Sequence, residues 1–130
     1  MQLQKFVLVF ALLALTYAVA QEQNLHHRIY SNVEYNEEGG DLLGTELELD
    51  LRGSHVDGTL RIYEGGCGTQ IPISGTITHG EIRLSGHDNA YGKIVITGTI
   101  GAAELRGTIR LEKAEAPETI ILKKILRPHC

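Results

Sequence analysis

Two glycine-bounded breaks in the apolar pattern carry the side chains best suited to bind something. Tyr63 and Glu64 lead into the stretch Glu64–Thr69, and His87, Asp88 and Tyr91 lie within His87–Gly92. A phenol, an imidazole and carboxylates gathered by long loops can hydrogen-bond a polar ligand, and loops on a rigid scaffold often carry function. Cys67 and Cys130 are the only cysteines. In an oxidising compartment they are a candidate disulfide tying the last residue to the Glu64–Thr69 stretch. A closed loop of that size stabilises a fold by ~4 kcal/mol on the chain-entropy account. A free Cys130 that pairs with a partner, or two unrelated thiols, are open alternatives. As a nucleophile Cys67 lacks a base: Gly65, Gly66 and Gly68 could offer backbone amides, but no signature places a histidine beside it.

The six histidines, at 26, 27, 55, 79, 87 and 129, form no His-x-His or His-x3-His pair on an element. Zinc needs three or four converging ligands, so these read as exposed turn and terminal residues, and no metal or other cofactor is expected. Glu46, Glu48 and Asp50 put three carboxylates on one strand face at intervals of ~6–7 Å. With Glu37, Glu38 and Asp41 they could attract a cation or a basic partner, although the plain reading is the wet face of a strand. A glycosidase would need two facing carboxylates in unlike environments, which linear spacing does not identify. Thr76 with Thr78, and Thr97 with Thr99, make two Thr-x-Thr pairs of the kind a flat ice-binding array presents. Threonine is also simply a good strand residue.

The elements that must position these residues are strands. Strict alternation sets Leu47, Leu49 and Leu51 against the acidic stripe. Leu60 and Ile62 follow, then Ile71, Ile73 and Ile77, then Ile82 and Leu84. Ile94, Ile96 and Ile100, and finally Leu105, Ile109 and Leu111, close the series. Such runs, bounded by glycine, predict half-buried antiparallel strands joined by short hairpins at Gly53-Ser54-His55, Thr78-His79-Gly80 and Gly101-Ala102-Ala103. Ile29–Tyr35 and Thr119–Leu126 read as the first and last strands, about eight in all, with a strand-poor stretch at Glu112–Glu118 around Pro117. An internal echo pairs Gly75-Thr76-Ile77 and Glu81-Ile82-Arg83 with Gly98-Thr99-Ile100 and Glu104-Leu105-Arg106. Gly58, Gly75, Gly98 and Gly107 fall at inward positions inside strands, where glycine marks a bend or a close approach of backbones. Repeated bending predicts an all-β meander, up and down, curled into a small barrel or roll. A second echo pairs Gly58-Thr59-Leu60-Arg61-Ile62 with Gly107-Thr108-Ile109-Arg110-Leu111. A β-solenoid is the alternative, but the spacings of the two echoes differ where a solenoid needs one period.

Residues 1–20 read as a secretory signal peptide. Lys5 is the only charge before Glu22, Phe6–Thr16 is a short apolar run, and Ala18-Val19-Ala20 supplies small residues for cleavage after Ala20. The run falls short of the ~20 apolar residues that span a bilayer, so no membrane span is expected after cleavage. The domain is then residues 21–130, exported to a periplasm or the extracellular medium. Loss of Lys5 moves the formal charge from −4 to −5. The remaining aromatics are Tyr30, Tyr35, Tyr63 and Tyr91, and the chain has no tryptophan. A mildly acidic chain without a basic stripe is a poor nucleic-acid binder.

The run Gly58-Thr59-Leu60, Gly75-Thr76-Ile77, Glu81-Ile82-Arg83-Leu84, Gly98 and Leu105-Arg106-Gly107-Thr108 resembles small secreted bacterial β-barrel proteins of calycin-like appearance and unknown function. The likeness covers about residues 44–125 and implies a fold, not an activity. The Gly-x-Trp of lipocalins and the tryptophans of avidin pockets have no counterpart here.

These observations favour a non-enzymatic binding or structural module, with a protein or small-ligand partner of unspecified kind. Two alternatives are a carrier of a small apolar ligand inside the barrel, and an enzyme acting from the long loops. No triad, metal or phosphate-loop spacing is present to support the last.

Overall fold

The computed structural model describes residues 25–130, and the signal-peptide reading of residues 1–20 lies outside the described residues. Among the described residues nine strands follow one another without a helix: β1 (Leu25–Ser31), β2 (Glu34–Asn36), β3 (Asp41–Arg52), β4 (His55–Gly65) and β5 (Thr69–Thr78) come first. They continue as β6 (Glu81–Asp88), β7 (Gly92–Ile100), β8 (Glu104–Leu111) and β9 (Glu118–Ile125). From β3 to β9 each strand pairs antiparallel with the next, and β1 closes the wall by pairing with both β3 and β9. The result is an eight-stranded up-and-down barrel with β2 as a ninth strand beside β3. Sequential antiparallel pairing rules out the solenoid.

Alternation along each strand decides what the barrel contains. Sixteen buried residues, at least one from each of the eight barrel strands, form a single apolar cluster that includes Leu47, Leu60, Ile73, Leu84, Ile96, Leu105 and Leu122. Ile62, Ile77, Ile100 and Leu111 pack against it at the ends. With neither phenylalanine nor tryptophan in residues 25–130, two tyrosines help fill the bore. The Tyr30 hydroxyl donates to the Gly101 carbonyl at 3.2 Å, and Tyr91 packs on the core from the β6–β7 turn.

The inward glycines set the curvature. A Cβ on Gly75 would collide with the Arg83 carbonyl oxygen, and one on Gly107 with the Thr97 carbonyl oxygen and the Cα of Gly98. Gly98 and Gly107 are direct cross-strand partners, so β7 and β8 approach where neither has a side chain. At the turn end, Gly53 (φ 59°), His79 (φ 51°) and Gly80 (φ 79°) take the left-handed backbone that two-residue hairpins require.

The expected first strand, Ile29–Tyr35, is two strands in one register. Leu25 to Ser31 and Glu34 to Asn36 share a single antiparallel alignment with β3. They are interrupted opposite Gly44 (φ 136°), whose missing side chain leaves room for Asn32 and Val33. The two long loops are also shorter than expected. β4 runs to Gly65 and β6 to Asp88, because Glu64 pairs with Leu43 and Asp88 with Gly92. Only residues 66–68 and 89–91 are left as connections.

Candidate functional site

Outward positions on an eight-stranded barrel should be wet, yet Ile29, Ser31, Val33, Glu46, Arg61 and Tyr63 are buried. All but Val33, which follows β1, lie on β1, β3 and β4, where the C-terminal tail passes. β9 ends at Ile125 beside β1, while Cys130 is bonded to Cys67 just beyond β4, with 5.7 Å between the Cα atoms. In the sheet order β9, β1, β3, β4, residues 126–130 must cross the outer face of β1 and β3 as a strap. The candidate disulfide is therefore present, and it pins the strap.

Beneath the strap sits a polar cluster centred on Glu46, whose relative exposure is 0%. Its carboxylate accepts from the Tyr63 hydroxyl at 2.9 Å, from His129 Nδ1 at 2.6 Å and from the His129 backbone N–H at 3.4 Å. The Arg61 guanidinium lies 3.8 Å from Glu46 and donates to Glu48 at 2.9 Å. Glu48 and Asp50 are in turn met by the two ring nitrogens of His27, at 3.3 and 2.7 Å. An ordered chain of alternating groups thus runs from β1 across β3 and β4 to the tail. The Tyr63 phenol is pushed up to about 12 by desolvation first, and then by its hydrogen bond to and charge repulsion from Glu46. The rings of Tyr63 and His129 meet edge to face, with centroids 6.2 Å apart.

The five loop residues named from the sequence are divided by this geometry. Tyr63 faces outward into the strap cluster, because residues 61 and 63 alternate with the inward Leu60 and Ile62. His87 is exposed on β6 opposite Lys93, apart from the others. Glu64, Asp88 and Tyr91 do come together at the loop end. Burial, a hydrogen bond to Glu64, and the charges of Glu64 and Asp88 all raise the Tyr91 phenol. Asp88 also accepts from the Ala90 backbone N–H at 2.7 Å, which shapes the turn.

One expectation about polar residues is corrected. Glu46, at the head of the acidic stripe, is the most buried carboxylate rather than part of a wet face. The six histidines are exposed as expected, and His27, His55 and His129 each also pair with a carboxylate. Glu46 and His129 lie 83 residues apart, so no local spacing could join them. The available signal was Cys130: once it is bonded to Cys67, its neighbour His129 must lie beside the end of β4. Among the described residues no group of three or more His, Cys, Asp or Glu side chains is arranged to hold a metal ion.

A carboxylate on imidazole Nδ1 supplies two of the three members of a catalytic triad. Here its partners are the tail backbone and a phenol, and the arrangement orders the strap. Surfaces open to a ligand lie elsewhere. A groove of about 500 Å³ runs along the β2–β3 hairpin beside Tyr35 and Leu43. One of about 570 Å³ lies against the β8–β9 connection, lined by Arg110 and Glu112. A third, of about 300 Å³, crosses the outer face of β5–β7 by Ser74 and Arg83. No helix among the described residues is long and apolar enough to cross a membrane. The chain matches no known protein family, no curated protein and no solved structure.

Proposed function

We propose that this protein is an exported, non-enzymatic binding module that engages its partner with the outside and the loop end of the barrel. One observation carries the reading: the inner face is a single packed cluster drawn from every barrel strand. A ligand carried inside would have to displace side chains packed against each other, at a cost comparable to a buried cavity mutation, roughly 2–5 kcal/mol per large residue. The chemistry-bearing side chains support the same view, since Glu46, Tyr63 and His129 hydrogen-bond one another and the tail. Export is supported by the disulfide, which persists in oxidising compartments, and by the signal-peptide pattern of residues 1–20.

Native mass spectrometry of the protein isolated from its natural cells and medium tests this. The expected species lacks residues 1–20, is lighter by the hydrogens of both thiols, and releases any bound molecule chemically unchanged. A cytosolic species with an intact N-terminus and free thiols would overturn export. A covalent adduct or a product accumulating from the bound molecule would overturn the non-enzymatic reading.

A further inference from the structure

We infer that the seam between β2 and β9, at the loop end of the barrel, accepts an extended basic segment of a partner protein as an added strand. The inference rests on the binding-module reading and names the partner's chemistry. β1 pairs with β9 only through Ile29–Ser31 and Lys123–Ile125. Carried forward, that register would set Asn32 against Leu122 and Asn36 against Glu118, and none of those pairs forms. The Asn32 backbone N–H turns instead to the Thr45 carbonyl at 3.1 Å, and Asn32 Oδ1 accepts from the Thr45 N–H at 2.6 Å. β2 therefore stays with β3, which remains paired with β4, and parts from β9.

Among the described residues, Glu118–Leu122 pair with β8 on one side and with no strand on the other, and β2 pairs only with β3. Unpaired strand edges are templates for strand addition. Side chains at the seam fit that use. Of the four large hydrophobic residues left exposed in the described chain, Tyr35 (63%), Leu43 (46%) and Ile121 (48%) lie on these elements.

Charge then selects the occupant. Residues 32–45 contain Glu34, Glu37, Glu38 and Asp41 and neither lysine nor arginine, and the three glutamates line the groove beside Tyr35. A strand alternating apolar residues with lysine or arginine would lay its apolar side on Ile121 and its cations against these carboxylates, with Tyr35 available as a cation–π face. A second copy of this chain would bring one acidic hairpin up to another, which like-charge repulsion opposes.

The probe is a blocked peptide of alternating lysine and valine, with its glutamate–valine counterpart as the control. Amide hydrogen exchange is followed by NMR. The lysine peptide is expected to bind saturably and to slow exchange within Glu118–Leu122 at amides not bonded to β8. Charge reversal of the exposed hairpin, Glu34→Lys with Glu37→Lys and Glu38→Lys, is expected to weaken it about tenfold or more. Absence of binding overturns the inference, as does equal binding of the glutamate peptide. Binding that leaves the β9 amides unprotected reduces the site to charge attraction and also overturns it. A concentration-dependent dimer protecting those amides would assign the edge to a second copy instead. A ligand found on another outer face would overturn the seam and leave the module reading standing.

Discussion

At the scale of single residues, Tyr63 and Glu46 test whether the strap is held by the chemistry described. The Tyr63 phenol titrates at about 12 in the folded protein against 10.0 for an ordinary tyrosine. Its raised value favours the neutral phenol in the native state. The associated stability is therefore complete below pH 10 and is lost as pH rises toward 12, by roughly 2 kcal/mol. Denaturant unfolding of the wild type and Tyr63→Phe across that range should show the loss in the wild type and a flatter profile in the variant. Glu46→Gln removes the charge that contributes to the shift. It should bring the Tyr63 midpoint, read from phenolate absorbance, back toward 10 and cost about 2–3 kcal/mol by leaving Arg61 with one fewer anion. An unchanged midpoint would mean that Glu46 does not govern the phenol.

At the scale of elements, the glycines carry the curvature and offer a matched pair of substitutions. Gly107→Ala would drive a methyl into the Thr97 carbonyl oxygen, whereas Gly66→Ala meets nothing within 4 Å. The first should destabilise by about 3 kcal/mol and the second by no more than ~0.5 kcal/mol, as read from denaturant midpoints. This scale was also the most legible from the sequence. Period-two runs at Leu47–Leu51, Ile71–Ile77 and Ile94–Ile100 placed the same side chains inward that pack the bore, because a one-residue slip would turn each run out to water. The exact ends were not legible. Polar residues such as Glu64 and Asp88 carry no inward or outward signature, yet they extend β4 and β6 through backbone pairing alone. The strap cluster was hidden for a different reason. Residues 126–130 pair with no strand, and their position is set by one covalent bond to a residue 63 positions away.

At the scale of the whole molecule, that bond and the packed bore together define a solid barrel wrapped by its own terminus. Cys67→Ser with Cys130→Ser should lower stability by ~4 kcal/mol through chain entropy. It should also free the strap, so that exchange quickens at the His129 amide and the Tyr63 midpoint falls. Loss of stability with an unmoved Tyr63 would show that the tail stays docked without its bond. With its bore filled, the barrel is proposed to recognise its partner on the outside. The most direct test of that proposal is a methyl-resolved NMR titration of the intact protein with a long-chain fatty acid. The methyl resonances of Leu47, Leu84 and Ile96, all 0% exposed in the core, are expected to stay in place as the fatty acid is added. Saturable shifts of those three at one ligand per chain would contradict the proposal and make the protein a carrier.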